Sequence, residues 1–367
     1  MTDQASDGLK TLRNQLDEVD ARLVELAARR QQLVSEIGRF KQGRGQQLRD
    51  FRREREVLEL VRSRAETVDL DPALAETLFR RLIDASLTRQ EQERVRLAGR
   101  GSGRRALIIG GAGRMGAWLA GFLDNQGFDV LLADPLLADD GEKQFADWRS
   151  APLDVSLIVV AAPLKKTAGI IDELVESRVS CLVAEIGSIK TPLIDALNAA
   201  AAAGLRICSL HPMFGPDTRL LSGRHVLVMD AGCAAATAEA TELFADTMAE
   251  LVSVPLAEHD RLISLVLGLS HALNIAFFTA LVRSGVSAEQ LSGISSTTFD
   301  RQLAIARDVA GENPALYHEI QHLNEYGHIG RDALHEAIEL LKAAADDPDH
   351  AAMRGLMEEG RKYLDSL

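Results

Sequence analysis

Residues 104–135 read RRALIIGGAGRMGAWLAGFLDNQGFDVLLADP. A short apolar run at 106–109 predicts a strand. Gly111, Gly113 and Gly116 then form G-x-G-x-x-G, with Ala112, Arg114 and Met115 between them, and an apolar helix follows through residues 118–123. A second strand at 130–133 ends on Asp134. Each glycine has a mechanical use: a tight turn, backbone approach to a pyrophosphate, and close helix–strand contact. The helix N-terminus offers unpaired N–H groups and a positive dipole end to phosphates. Asp134 can accept from a ribose 2′-hydroxyl and repels a 2′-phosphate, so the expected cofactor is NAD rather than NADP. Strand, turn, helix and terminal acid fall in the order that a dinucleotide-binding βαβ unit requires.

Around this centre, 367 residues leave room for two or three domains. The net charge of −13 is unevenly shared. Residues 1–100 hold 20 basic against 18 acidic side chains; the remainder holds 21 against 36. So acidic a main body argues against nucleic acid or an anionic membrane as partner. The near-balanced first part suits small anionic ligands. Cys181, Cys208 and Cys233 lack metal-ligand spacing and are expected to be buried thiols in a reducing, cytoplasmic compartment. No signal peptide is expected, and no apolar run is expected to span a bilayer.

The first hundred residues read as three helices and no strand. Leu9, Leu12, Leu16, Val19, Leu23, Leu26, Leu33, Ile37 and Phe40 recur in steps of three and four, with Arg30 in one apolar slot. That predicts one helix of about 30 residues, about 45 Å long, too long for a small domain to cover. A second copy of the chain is the simplest partner. A loop is expected at 43–47, then a helix at 50–64 with Val57, Leu58, Leu60 and Val61 inward. A third, opened by Asp71-Pro72, runs to about Val95. Arg13 and Arg30 lie beside the apolar seam, Lys41, Arg49, Asp50 and Arg53 cluster at the first junction, and Ser86 and Gln90 sit one turn apart. Such convergent cations suit a ligand with two carboxylates; a coiled-coil arm with rim arginines is the alternative.

The runs LRNQLDEVDARLVELAARR, GRFK, RDFRRER and ASLTRQ resemble the helical chorismate mutases. The resemblance implies an intertwined homodimer in which Arg13 is lent to the partner's site. It also implies that Arg30, Arg49 and Arg53 clamp carboxylates and that Lys41 and Gln90 face the ether oxygen of chorismate. Asp50, Glu54 and Ser86 would position the rest of the substrate. The rearrangement to prephenate needs no nucleophile, only restraint and cations where negative charge grows.

Residues 97–104 are rich in Gly, Ser and Arg and read as a linker. The βα rhythm then continues through strands at 155–160, 182–186, 206–210 and 225–229, with an Ala-rich helix ending near 203. Pro163, Ser188 and His211 follow strand ends, where a doubly wound sheet binds its ligands. GGAGRMG, EIGSIK, HPMFGPD and SSTTFDRQLA together resemble the prephenate dehydrogenase family.

That second resemblance implies that His211 takes the proton of the prephenate ring hydroxyl while hydride leaves for NAD and carbon dioxide is lost, giving 4-hydroxyphenylpyruvate. It places Ser188, Ser270 and His271 near the substrate, with Arg301 or Arg307 on a carboxylate. Relatives often carry Ser where this chain has Ala161. Joined, the two resemblances imply a bifunctional enzyme of tyrosine biosynthesis, with tyrosine a possible feedback ligand. A dehydrogenase with an inert helical arm, an arogenate-specific enzyme, and a hydroxyacid dehydrogenase stand as alternatives.

After residue 255 strands give way to helices, expected at 256–282, 288–310, 314–345 and 350–367. Apolar residues around the first of these suggest a second dimer contact. His318 and His322 form H-E-x-x-H with Glu319, but no third ligand stands at a zinc-like spacing and no metal is expected. The resulting architecture is multidomain: an all-α mutase domain (1–96), the linker (97–104), a Rossmann-like α/β NAD-binding domain (105–254) and an all-α dimerisation domain (255–367).

Overall fold

The computed structural model describes residues 2–42 and 49–366, with side chains at 8–40 and from 49 onward. The Lys41 side chain and the loop expected at 43–47 lie outside the described residues. The chain divides into two compact units, one of Met1–Ala161, Pro212–Leu227 and Ala238–Val252, the other of Ala162–His211, Val228–Thr237 and Ser253–Leu367.

The first unit opens with α1 (Thr2–Gln42), α2 (Phe51–Thr67) and α3 (Pro72–Ala98). Helix α1 has 41 residues, longer than the apolar repeat alone suggested. Its whole seam, from Leu9 to Phe40, is exposed, Leu12 by 64%. A contiguous apolar exposure of this kind is the physical signature of an interaction face. Asp50 caps α2 by accepting from Arg53 N at 2.9 Å, and Asp71 caps α3 before Pro72. Leu60, expected inward, is 68% exposed; α2 meets α3 through one stripe only, and Val57, Leu58 and Val61 occupy it at partial burial.

Beyond α3 the same unit contains β1 (Arg105–Ile109), α4 (Arg114–Asn125), β2 (Asp129–Ala133), the short β3 (Gln144–Phe145) and β4 (Leu157–Val160). These four strands pair in parallel in the order β3-β2-β1-β4. The apolar run at 106–108 is fully buried, as a central strand covered on both faces must be. Residues 97–104 are not a loose tether. Arg100 pairs with Glu242 and Asp246, and the Arg104 guanidinium lies 4.8 Å from the centre of the Phe128 ring.

Downstream lie α5 (Leu164–Glu176), β5 (Leu182–Glu185), α6 (Ile194–Ala202), β6 (Ile207–Pro212), β7 (His225–Asp230), α7 (Ala234–Glu242) and β8 (Glu250–Ser253). β5 and β6 are parallel, with Glu185 opposite Ser209. β6 runs two residues past its expected end, so His211 stands inside the strand. β3 and β8, absent from the sequence reading, are two and four residues long, too short to leave a periodic signal.

The helical part of the second unit contains α8 (Leu256–Ile263), a π turn (Ser264–Leu269), α9 (Ser270–Arg283), α10 (Ala288–Gly293), α11 (Thr297–Ala310), α12 (Pro314–His322), α13 (Gly327–Ala345) and α14 (Ala351–Leu364). Two expected helices are each split. Ser296 caps α11 by accepting from Phe299 N, and Asn324 breaks the second by donating to Asp260 O at 2.8 Å.

The segment Leu256–Arg283 also corrects the expectation about membrane-length runs: it is 28 residues long, with an 18-residue window of mean hydropathy 1.9. Its charges are confined to the ends, which leaves residues 262–282 uncharged. Within it, Asn274 is buried, accepts from Gln302 at 2.9 Å and donates to Ser270 O. Polar pairing of this kind belongs to helix packing, with Leu265, Val266 and Leu273 left exposed as an apolar face.

Candidate active sites

The glycine turn fits a dinucleotide. A Cβ on Gly116 would lie 2.1 Å from the Gly110 carbonyl oxygen, so only glycine lets the helix approach the strand here. Gly113 caps α4 without a side-chain hydrogen bond, which leaves first-turn N–H groups for an anion. Asp134 sits just beyond β2 and accepts from Ala112 N at 3.3 Å and Leu136 N at 2.9 Å. Its carboxylate is thereby anchored against the turn. Ala112, Gly113 and Arg114 are exposed, Met115 is half-buried, and Gly111 and Gly116 are buried. Arg114 donates to Asp217 at 2.8 Å. Pro163 is exposed and immediately precedes α5.

The expected mutase residues fall into two groups. Arg30 reaches from α1 to α3, donating to Leu82 O at 3.1 Å and Ser86 Oγ at 3.0 Å. Gln90 is buried and donates to Val34 O at 2.8 Å. The second group centres on Arg49, which holds both oxygens of Glu54 at 3.0 Å and donates to Ser222 Oγ at 2.7 Å. Arg49 also lines a cavity of about 440 Å³ with Asp84, Asp217, Arg219 and Arg224. Asp50 serves as the α2 cap, Arg53 pairs with Glu56 at the surface, and Arg13 is exposed on α1.

The dehydrogenase side is richer than the sequence suggested. His211 is 4% exposed, and its Nδ1 lies 2.9 Å from His259 Nε2. His259 Nδ1 lies 2.6 Å from Asp260 Oδ1. Lys190, fully buried, donates from Nζ to Glu185 Oε1 at 2.7 Å and to Leu210 O at 2.9 Å. Ser209 donates to the same Glu185 oxygen. Burial, then the Lys190 charge, then His259 hold the His211 imidazole well below the ordinary histidine range.

Sequence reasoning missed Glu185, Lys190, His259 and Asp260. EIGSIK contains two of them, and the polar run Glu258 to Arg261 inside an apolar stretch was the available signal for the others.

The remaining expected residues are scattered. Ser188 is half-buried. Ser270 is exposed and its hydroxyl donates to Val266 O at 2.7 Å, within its own helix. His271 packs on Tyr317, ring centres 4.3 Å apart, with Nδ1 buried and without a hydrogen bond. Arg301 and Arg307 are both exposed on α11. Of the cysteines, Cys181 and Cys208 are buried and form no disulfide, and burial pushes the Cys208 thiol up to about 12. Cys233 is only half-buried, correcting its expected burial, because it precedes α7 at a turn held by Asp230. His318 and His322 share one face of α12 and line a cavity of about 690 Å³ with Arg283 and Arg331. No cluster of three metal-ligating side chains occurs among the described residues.

A dinucleotide-type turn on a parallel sheet, followed by a helical domain and preceded by a three-helix module rich in arginine, defines a two-module enzyme built around a nucleotide-dependent dehydrogenase. Family models identify the modules. "Chorismate mutase type II" matches residues 12–91, "Prephenate dehydrogenase, nucleotide-binding domain" matches 124–252, and "Prephenate dehydrogenase, dimerization domain" matches 255–359. The chain belongs to the fused chorismate mutase–prephenate dehydrogenase family.

It is 28% identical to the T-protein of Enterobacter agglomerans over 319 residues, 85% of this chain and 81% of that one. It is 25% identical to the T-protein of Haemophilus influenzae over 316 residues, covering 86% and 81%. Among solved structures, the Aquifex aeolicus prephenate dehydrogenase in complex with hydroxyphenyl propionate and NAD+ matches with a TM-score of 0.58 at 18% identity. That match covers 72% of this chain and 99% of the other, and it shows a shared fold.

Proposed function

We propose that one chain carries out two consecutive steps of tyrosine biosynthesis. Residues 1–96 rearrange chorismate to prephenate, and residues 105–254 with 255–367 oxidise and decarboxylate prephenate to 4-hydroxyphenylpyruvate, using NAD. The observation that carries this reading is the order of matched modules: the product of the first is the substrate of the second.

In the mutase, Lys41 and Gln90 face the ether oxygen, where the breaking bond becomes negative. Arg13 from a partner joins Arg30, already aimed at Ser86, Arg49 and Arg53 in clamping the two carboxylates. Asp50, Glu54 and Ser86 position the rest of the substrate, so that catalysis is restraint plus placed charge. In the dehydrogenase, the glycine turn from Gly111 to Gly116, Asp134 and Pro163 hold NAD, which when bound supplies the hydride acceptor. His211 takes the ring-hydroxyl proton, Ser188, Ser270 and His271 orient the ring, and Arg301 or Arg307 pairs with a carboxylate. The chain works as a cytoplasmic homodimer, supported by the exposed seam of α1, the dimerization-domain match and cysteines that form no disulfide. Tyrosine is its proposed feedback ligand.

The test is incubation with chorismate, first without and then with NAD. Prephenate should accumulate in the first stage and be consumed with NADH formation in the second. Absence of prephenate in the first stage leaves an inert helical arm as the better account.

A further inference from the structure

Asp260, His259 and His211 form an unbroken chain of buried side chains behind the dehydrogenase strand β6. Asp260 accepts from Lys190 N at 2.8 and 3.0 Å, from Thr191 N at 2.6 Å and from Thr191 Oγ1 at 2.6 Å. Two of these donors are backbone N–H groups that cannot reverse, so the carboxylate is an acceptor on both oxygens. Burial alone would raise the Asp260 carboxyl, but donors from His259, Thr191 and Lys190 outweigh it and hold it below the usual range. The remaining contact of this carboxylate, at 2.6 Å, is His259 Nδ1, which must therefore donate.

His259 is fully buried, and burial lowers its pKa despite the pull of Asp260. It is therefore neutral at neutral pH. With Nδ1 carrying the proton, its Nε2 carries a lone pair. That lone pair faces His211 Nδ1 at 2.9 Å. Only one assignment of hydrogens satisfies the contact: His211 donates from Nδ1 and keeps the lone pair on Nε2. The other charged groups facing this cluster are Lys190 and Glu185, paired at 2.7 Å, and the Lys190 charge opposes protonation of both histidines.

We propose that His259 and Asp260 are positioning residues that fix His211 in the Nδ1–H tautomer, leaving Nε2 as the atom that receives the substrate proton. The inference rests on the reading of His211 as the base. In the step itself the substrate O–H bond breaks and an Nε2–H bond forms. The resulting imidazolium still donates from Nδ1 to His259, and the Asp260 carboxylate stabilises that charge through the intervening ring. No proton needs to cross the relay. Both partners are buried and act through His211, so their loss acts on turnover rather than on binding.

The experiment uses the full chain and compares native protein with His259→Leu, His259→Gln and His211→Asn. Nitrogen-15 histidine spectra, with the His211 signals assigned by their loss in His211→Asn, report which ring nitrogen carries the proton. Native His211 should be protonated on Nδ1. His259→Leu should move that proton to Nε2 and lower kcat for prephenate oxidation by about 10²-fold or more, with KM and mutase turnover near native. His259→Gln, whose carbonyl can accept from Nδ1, should recover most of the loss. An Nε2–H native tautomer, or native kcat in His259→Leu, overturns the relay. If His259→Leu does not fold, the native spectrum alone decides. Turnover surviving in His211→Asn would instead overturn the reading of His211 as the base.

Discussion

Glu91, near the end of α3, accepts a hydrogen bond from the backbone N–H of Leu221 at 2.9 Å. It also accepts from Met248 N. One buried side chain of the mutase module therefore closes two backbone donors of the dehydrogenase module. Asn125 Nδ2, donating to Gln92 O at 3.0 Å, ties the same helix again. Burial raises the Glu91 carboxyl while the two backbone donors pull it down. Glu91→Ala would leave both N–H groups unpaired, at a cost of roughly 1–3 kcal/mol for the buried Leu221 donor and less for the half-buried Met248. The expected result is an earlier thermal transition that carries both activities down together. Loss of the mutase alone, with the dehydrogenase transition unmoved, would show that the contact does not couple the modules.

The depressed pKa of His211 fixes the sign of a pH effect. Its causes, burial first, then Lys190 and His259, all oppose a positive charge. The neutral, proton-accepting form therefore persists below the ordinary histidine range, about 6.5. The acid limb of kcat/KM for prephenate should fall at a pH below that value. Stability follows the same sign: below about 6.5 the unfolded chain takes up a proton that folded His211 does not, so stability is lost as pH falls. An acid limb centred above 6.5 would contradict this arrangement.

What the sequence disclosed and what it hid follow from range of interaction. The turn at 111–116 was legible because strand, glycines, helix and Asp134 are contiguous, and each acts on its near neighbours. The α1 seam was legible because helical periodicity is local. The His211–His259 contact joins residues 48 apart, Lys190–Asp260 joins residues 70 apart, and Arg49–Ser222 joins residues 173 apart. No local pattern encodes such pairs. Leu60 shows the same limit from the other side: it was expected inward and is 68% exposed, because α2 presents only a narrow stripe to α3.

Arg30 separates the two activities. It is half-buried, with burial lowering its pKa, and it donates to Leu82 O and Ser86 Oγ on α3. Arg30→Ala removes one cation of the carboxylate clamp and should lower mutase kcat/KM by about 10- to 100-fold, the loss of one charged hydrogen bond of about 1.5–3 kcal/mol. Prephenate oxidation by the same preparation should remain native, which also controls for folding. Equal loss of both rates would mean that Arg30 serves stability rather than chemistry.

Asp134 tests the meaning of the glycine turn. Its carboxylate is held by Ala112 N and Leu136 N, so its charge stands beside the exposed turn instead of swinging into solvent. Asp134→Asn keeps the size and an accepting oxygen but removes the charge. A hydrogen bond to a charged group contributes about 1.5–3 kcal/mol, so KM for NAD should rise by about 10- to 100-fold. NADP should become usable, because the repulsion against a 2′-phosphate has gone. Rates measured with each cofactor at saturating prephenate, with mutase turnover as an internal control, provide the comparison. Unchanged NAD affinity, or NADP still excluded, would place the discriminating group elsewhere in the turn and leave Asp134 as a backbone anchor.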